Sequence, residues 1–254
     1  MATYKKRGYK PKTKKEKTEV IEEGSTTAEV FNTLDESASK TEEWVVKNQN
    51  YIFGVVGVVA LVVLAIMGYN RFIAEPNAKE AMNEMAKAQS YFDEALTATA
   101  SDSLYTLALE GGEGKYGMLD IIEEYGSTPA GNLANYYAGM AYLNMKKYDD
   151  AIKYLSDFSS KDIMLSAISK GGIGDAFVQL NQLEEGLEYY EKAIAANAND
   201  FTTPLYLMKA AIVAMSLDEN QKALDYLNRI KSEYSESNEA KDVDVLIGKA
   251  SASL

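Results

Sequence analysis

The sequence predicts an all-α protein in which one membrane-length apolar helix precedes a solenoid of paired helices. Three observations carry this. From Tyr51 to Tyr69 the chain runs for nineteen residues without a charge, an Asn, a Gln or a Pro. From Lys115 onward, apolar residues recur with helical spacing over stretches of about twelve to sixteen residues, broken by short polar turns. The chain also aligns with itself, first at an offset of 35 residues and then at 37.

At about 1.5 Å per residue, a nineteen-residue helix spans roughly 28 Å, close to the hydrocarbon thickness of a bilayer. Trp44, Tyr51 and Tyr69 stand where an aromatic belt would lie, and Lys47 and Arg71 bracket the run. A helix in a soluble core rarely stays apolar all round for this length. The run therefore predicts a transmembrane helix whose partner is the lipid bilayer. Gly54, Gly57, Leu61, Ala65 and Gly68 fall within about 80° of one another at the helical period. Either these small residues form a face for a second helix, or they reflect the general abundance of glycine in membrane helices.

The 254 residues leave room for one good-sized domain after the span. Charge divides the chain. Lys5, Lys6, Arg7, Lys10, Lys12, Lys14, Lys15 and Lys17 face a single acid, Glu16, so residues 1–17 carry +7. Residues 18–50 carry -6, and the segment from Phe72 to the C-terminus carries -14. A domain that acidic is not built to bind nucleic-acid phosphates. The basic start predicts a cytoplasmic N-terminus. With no small-x-small cleavage site after the run, the apolar helix reads as an uncleaved signal anchor. The long domain then lies on the trans side, the periplasm if the cell is a Gram-negative bacterium. The basic cluster has two further readings: a contact with anionic lipid, or a ribosome contact with Tyr4 and Tyr9 stacking on RNA.

Cysteine and histidine are both absent, which removes thiolate nucleophiles, disulfides, imidazole bases and the usual zinc ligands. No cofactor and no metal are expected. The adjacent acids Glu123 and Glu124, Asp149 and Asp150, and Glu184 and Glu185 sit at helix ends and turns, where capping and solvation are the ordinary role. Catalysis by them would lack its customary helpers.

In order, residues 1–29 read as a disordered tail, and 30–50 as a short cytoplasmic amphipathic segment with a stripe at Val30, Leu34, Ala38 and Val45. Residues 51–70 are the signal anchor. Residues 71–100 read as a stalk helix, with Pro76 in its first turn and apolar spacing through Ala81, Met85, Ala88, Tyr91 and Phe92. The repeat domain covers 101–254. Within it, Gly111-Gly112-Glu113-Gly114 has neither a preceding strand nor a following Gly-Lys-Ser/Thr, so it is a turn rather than a phosphate loop. A partial repeat lies near 115–130, with full ones near 132–163, 167–200 and 204–235. A closing helix covers 237–252.

The self-alignment sets Ala138-Gly139, Tyr142, Ala151, Ile152 and Tyr154 against Gly174, Phe177, Gly186, Leu187 and Tyr189, then against Ala223, Leu224 and Tyr226. This pattern resembles the tetratricopeptide repeat, stretched beyond its usual 34 residues. Gly139, Tyr142, Ala151, Gly174, Tyr190, Ala193 and Ala223 match signature positions. The early tryptophan is missing, Gly186 replaces an alanine, and Ala214 stands where an aromatic is expected, so the third repeat is degenerate. The resemblance implies a concave groove lined by Tyr136, Met140, Asn144, Asp175, Gln179, Met208, Ile212 and Met215. The methionines either make this groove adaptable or fill the interior between helices.

The order of parts is similar to that of the YfgM family, ancillary subunits of the SecYEG translocon. Glu43-Trp44, Val46-Lys47-Asn48, Tyr69-Asn70-Arg71 and the acidic helical repeats carry the likeness, while the basic leader is no part of it. The resemblance implies a non-enzymatic accessory protein beside SecYEG. It also implies contact with a PpiD-type membrane-anchored peptidyl-prolyl isomerase and with secreted or nascent polypeptides. A scaffold in another cell-envelope assembly fits the same repeats.

Overall fold

The computed structural model describes residues 26–196 and 198–254, with side chains from residue 41 onward. The basic cluster Lys5 to Lys17 lies outside the described residues, as do the side chains of the stripe at Val30, Leu34 and Ala38. Two compact units divide at Tyr69 and Asn70. Among the described residues, all regular structure is helical apart from an isolated bridge between Gly112 and Lys115.

The first unit contributes helix α1, Thr26–Tyr69. The segment read as a separate amphipathic piece and the apolar run belong to this one helix, because nothing between Val45 and Tyr51 breaks it. Asn48 does not interrupt it: its Nδ2 donates to the Trp44 carbonyl at 2.7 Å, one turn back. Along the run, apolar side chains stand exposed on every face, as a lipid-facing helix requires. It carries the one stretch among the described residues that is long and apolar enough to cross a membrane.

The second unit opens with a π-helical turn, Asn70–Ala74, followed by α2, Glu75–Thr97. Pro76 sits in the first turn of α2, directly after the π-helical turn. The chain continues through α3 (Asp102–Glu110), α4 (Met118–Tyr125), α5 (Pro129–Asn144), α6 (Tyr148–Asp157), α7 (Ile163–Gln179), α8 (Leu183–Ala196), α9 (Thr202–Ser216), α10 (Asn220–Glu233) and α11 (Val243–Ser251).

Local signals start these helices. Thr128 caps α5 by accepting from the Gly131 N–H at 3.1 Å, with Pro129 at the first position. Asp162 caps α7 by accepting from the Met164 and Leu165 N–H groups at 2.9 Å. The glycine-rich stretch is a tight turn, with Gly111 and Gly114 at positive φ, and Asp120 then accepts from the Gly117 N–H at 2.9 Å to start α4. Helix ends repeat as faithfully. The pairs α5/α6, α7/α8 and α9/α10 are each joined by a residue in the left-handed region: Lys146, Asn181 and Asp218, at φ of 62°, 59° and 60°. In each turn the next N–H closes a six-residue bond: Lys147 to Tyr142 at 2.9 Å, Gln182 to Phe177 at 2.9 Å, Glu219 to Ala214 at 2.8 Å. The third pair, degenerate in side chains, therefore keeps the repeat's backbone.

The core falls into two clusters. One gathers α2 to α5 around Met85, Tyr91, Phe92, Met118 and Ile121; the other gathers α7 to α11 around Tyr190, Leu207, Leu227 and Ile230. Fully buried leucines and isoleucines of this kind contribute roughly 1.5–3 kcal/mol each by burial. Residues 71–100, read from the sequence as a stalk, contain a helix that buries Ala81, Met85, Ala88, Tyr91, Phe92 and Ala95 against α3, α4 and α5. That helix is a wall of the repeat domain, since six buried residues in one stripe need a partner surface.

Close approach within the pairs rests on small residues. A Cβ on Gly139 would lie 2.5 Å from Leu155, and one on Gly174 would lie 2.7 Å from the Tyr190 ring. The helices packed side by side are α2, α5, α7 and α9; their partners α6, α8 and α10 stand further apart. A double layer spaced more tightly on one side curves towards that side, so α2, α5, α7 and α9 form the concave face.

Candidate functional site

On the concave face, α5 presents Tyr136 and Met140 half-buried and Asn144 exposed; α7 presents Asp175 half-buried and Gln179 exposed. From α9 come Met208 and Met215, half-buried, and Ile212, which is 49% exposed. The methionines divide their surface. Met140 packs on the first core cluster, and Met208 and Met215 on the second, while part of each remains open. Each methionine thus packs on the interior and keeps part of its surface exposed, as an unbranched thioether permits.

The polar members are engaged within the chain. Lys209 Nζ of α9 lies 2.6 and 2.7 Å from the two carboxylate oxygens of Asp175, which also accepts from the Tyr190 hydroxyl at 2.7 Å. Gln179 accepts from the Tyr148 hydroxyl at 3.4 Å, and Asn144 donates to the Met140 carbonyl at 2.8 Å. Tyr190 and Tyr206 stack at 6.1 Å beneath the Lys209 ammonium. Burial first, and then the Asp175 charge, push both phenols above the ordinary tyrosine range. Tyr136 is raised by burial and by neighbouring Tyr137.

The sequence reading missed Lys209, Tyr206 and Gly171. Tyr206 lies on the α7 backbone so tightly that a Cβ on Gly171 would fall 1.9 Å from its ring. The available signal was Gly171 and Gly172 standing side by side in an otherwise helix-forming segment, which marks a close approach.

At one end, Ile212, Met215 and Leu246 together with Ser216, Asp218, Asn220, Lys249 and Ser253 line a cleft of about 330 Å³ of mixed polarity between α9 and α11. At the other end Gln89 of α2 donates to the Tyr137 hydroxyl of α5 at 2.7 Å, joining two concave helices. Among the described residues no group of three or more Asp, Glu, His or Cys is placed to hold a metal ion. The paired acids Glu123 and Glu124, Asp149 and Asp150, and Glu184 and Glu185 are all exposed.

In the apolar run of α1, no atom lies within 4 Å of where a Cβ would stand on Gly54, Gly57 or Gly68, and Leu61 and Ala65 are exposed. Among the described residues nothing covers this face.

Residues 133–162 and 169–200 match family models of the tetratricopeptide repeat. These segments cover most of the α5/α6 and α7/α8 pairs, so tetratricopeptide repeats form part of this chain. No curated protein sequence matches it. Two solved structures are similar. One is the TPR2B domain of yeast Sti1 in its pHsp70 complex, at 18% identity and TM-score 0.40, covering 48% of this chain and 98% of that one. The other is a crystal structure of nearly identical TPR-like repeats from a Podosopora anserina putative kinesin light chain. It shows 12% identity and TM-score 0.48, covering 68% of this chain and 86% of that one. Repeats of this kind are typically non-catalytic scaffolds for protein–protein interaction.

Proposed function

We propose that this protein is a non-enzymatic, membrane-anchored accessory subunit of the bacterial Sec translocon. In this reading α1 is a signal anchor in the cytoplasmic membrane, with the +7 tail on the cytoplasmic side. The repeat domain lies in the periplasm. Its concave face takes emerging polypeptides or a PpiD-type chaperone, and the small-residue face of α1 packs beside SecYEG. The observation that carries the proposal is the concave layer itself, apolar and partly open at Met140, Met208, Ile212 and Met215, on a chain that also holds a membrane-length helix. Anchoring raises the local concentration of the face near the membrane, so weak affinity for each client suffices. Polar side chains of that face are already paired within the chain, which leaves apolar contact as its main attraction.

The test is photo-crosslinking in living cells, with probes at Gly57 and Ala65 of α1 and at Met140 and Ile212 of the concave face. Capture of a channel subunit from α1, with capture of secreted chains or a membrane-anchored isomerase from the concave face, establishes the reading. If α1 captures only outer-membrane or cell-division components, the translocon role is wrong and the protein is a scaffold of another envelope assembly.

A further inference from the structure

The outer helices α6, α8 and α10 leave two gaps, and the chain fills them differently. Between α8 and α10, Glu191 accepts from the Tyr226 hydroxyl and from Lys222 Nζ, the latter at 2.9 Å. Tyr206 and Leu207 of α9 are both buried. Shifted back through the repeat offsets of 37 and 35 residues, Tyr226 becomes Tyr189, Glu191 becomes Ser156, and Tyr206 and Leu207 become Ser169 and Lys170. Serines in place of Glu191 and Tyr206 remove bulk, and the α6–α8 gap stays open. It holds a cleft of about 270 Å³ lined by Ser156, Ser166, Ser169, Lys170, Ile173 and Tyr189 among others.

Tyr189 lacks the acceptor that Tyr226 has, Lys170 brings an ammonium where Leu207 stands one repeat later, and the place of Lys222 is taken by an acid, Glu185. Four lysines of the domain are half-buried. Lys87, Lys209 and Lys222 each meet a carboxylate, at 3.3, 2.6 and 2.9 Å. Among the described residues, Lys170 meets only the Ser166 hydroxyl, at 2.5 Å. The Tyr189 ring rests on Phe177 beneath Lys192 Nζ, and its hydroxyl makes no hydrogen bond among the described residues. Of the acids nearest in sequence, Glu188 pairs with Lys192 at 2.7 Å, Asp175 with Lys209, and Asp162 with the α7 N–H groups, while Asp157 and Glu185 are exposed.

We propose that the α6–α8 cleft binds a carboxylate of a partner polypeptide in the place that Glu191 takes one repeat later. Lys170 Nζ and the Tyr189 hydroxyl donate to it, and the Ser156 hydroxyl adds a third donor. A half-buried ammonium strengthens such a bond relative to an exposed one. The strongly negative domain repels carboxylates elsewhere, so this cleft also fixes where an acidic partner docks. The cleft opens between the outer helices α6 and α8 with α7 at its back, and it uses none of the side chains named for the concave face, so its failure would leave the concave reading untouched.

The experiment is an NMR titration of the full-length protein in detergent micelles, with labelled tyrosine rings and lysine side chains. Four probes are used: acetyl-trialanine with a free carboxylate, its amide, acetyl-Ala-Glu-Ala amide, and inorganic phosphate. Saturable shifts at Tyr189 and Lys170 from either carboxylate peptide, absent with the trialanine amide, support the site; which peptide acts distinguishes a C-terminal from a side-chain carboxylate. Lys170→Met should weaken binding by about tenfold, the scale of one charge-assisted hydrogen bond. Ser156→Glu, at an exposed position, should place an internal carboxylate in the cleft, abolish the shifts and raise Tm. No saturable shift with either carboxylate, a response to phosphate alone, or unaltered binding in Lys170→Met would overturn it.

Discussion

Lys209 and Asp175, 34 residues apart, clamp the concave helices α9 and α7 through two short bonds from one ammonium. The pair is about a third exposed, 33% for the lysine and 31% for the aspartate, so water screens part of the attraction. Removing the lysine leaves a half-buried carboxylate held by Tyr190 alone. Lys209→Met should lower stability by about 1–2 kcal/mol. The double variant with Asp175→Asn should be less destabilised than the sum of the single changes. Chemical denaturation of the four chains measures that coupling.

Gly186 departs from the alanine usual at its repeat position, and the packing explains why. An added Cβ would stand 2.5 Å from Val178 Cγ2 and 3.3 Å from the Gly174 carbonyl. Restoring the consensus by Gly186→Ala should therefore destabilise, by about 1–3 kcal/mol as overpacking does. Val178→Ala in the same chain should return part of the loss. A Tm drop for Gly186→Ala that Val178→Ala deepens would count against this packing account.

Lys146, Asn181 and Asp218 share one turn geometry but not one cost. Left-handed backbone disfavours side chains with a Cβ, least so for Asn and Asp. Lys146→Gly should raise stability by about 0.5–1 kcal/mol, and Asn181→Gly by less. Thermal melts should separate the two by a few degrees at most.

Glu191 supplies a pH dependence with a defined sign. Burial alone would raise its pKa; hydrogen bonds from Lys222 and Tyr226 outweigh that and hold the carboxyl below its ordinary value of 4.5. A group depressed in the folded state stabilises fully above its unfolded pKa and loses that contribution as pH falls through the folded one. At 40% side-chain exposure the effect is screened to no more than about 1 kcal/mol. Glu191→Gln should thus melt below the parent at neutral pH, and the two Tm values should converge as pH drops below about 4.5.

Local chemistry determined much of this protein without help from the fold. Nineteen residues free of charge, amide and proline suffice to make a membrane-length helix, because the backbone satisfies itself and no side chain objects. The offsets of 35 and 37 residues likewise exposed the paired helices, since each turn and each small-residue crossing recurs with the register. Tertiary structure decided what each stripe meets. The spacing of Ala81, Met85, Ala88 and Phe92 announces a buried face on α2, but only packing against α3, α4 and α5 makes that helix a domain wall instead of a stalk. The same holds for Asp175: the resemblance to the tetratricopeptide repeat makes it a groove candidate, whereas its commitment to Lys209 and Tyr190 came only with the fold. Periodicity reports which side of a helix is turned inward; the partner on that side comes from residues 15 to 34 positions away, and only the folded chain brings them within bonding distance.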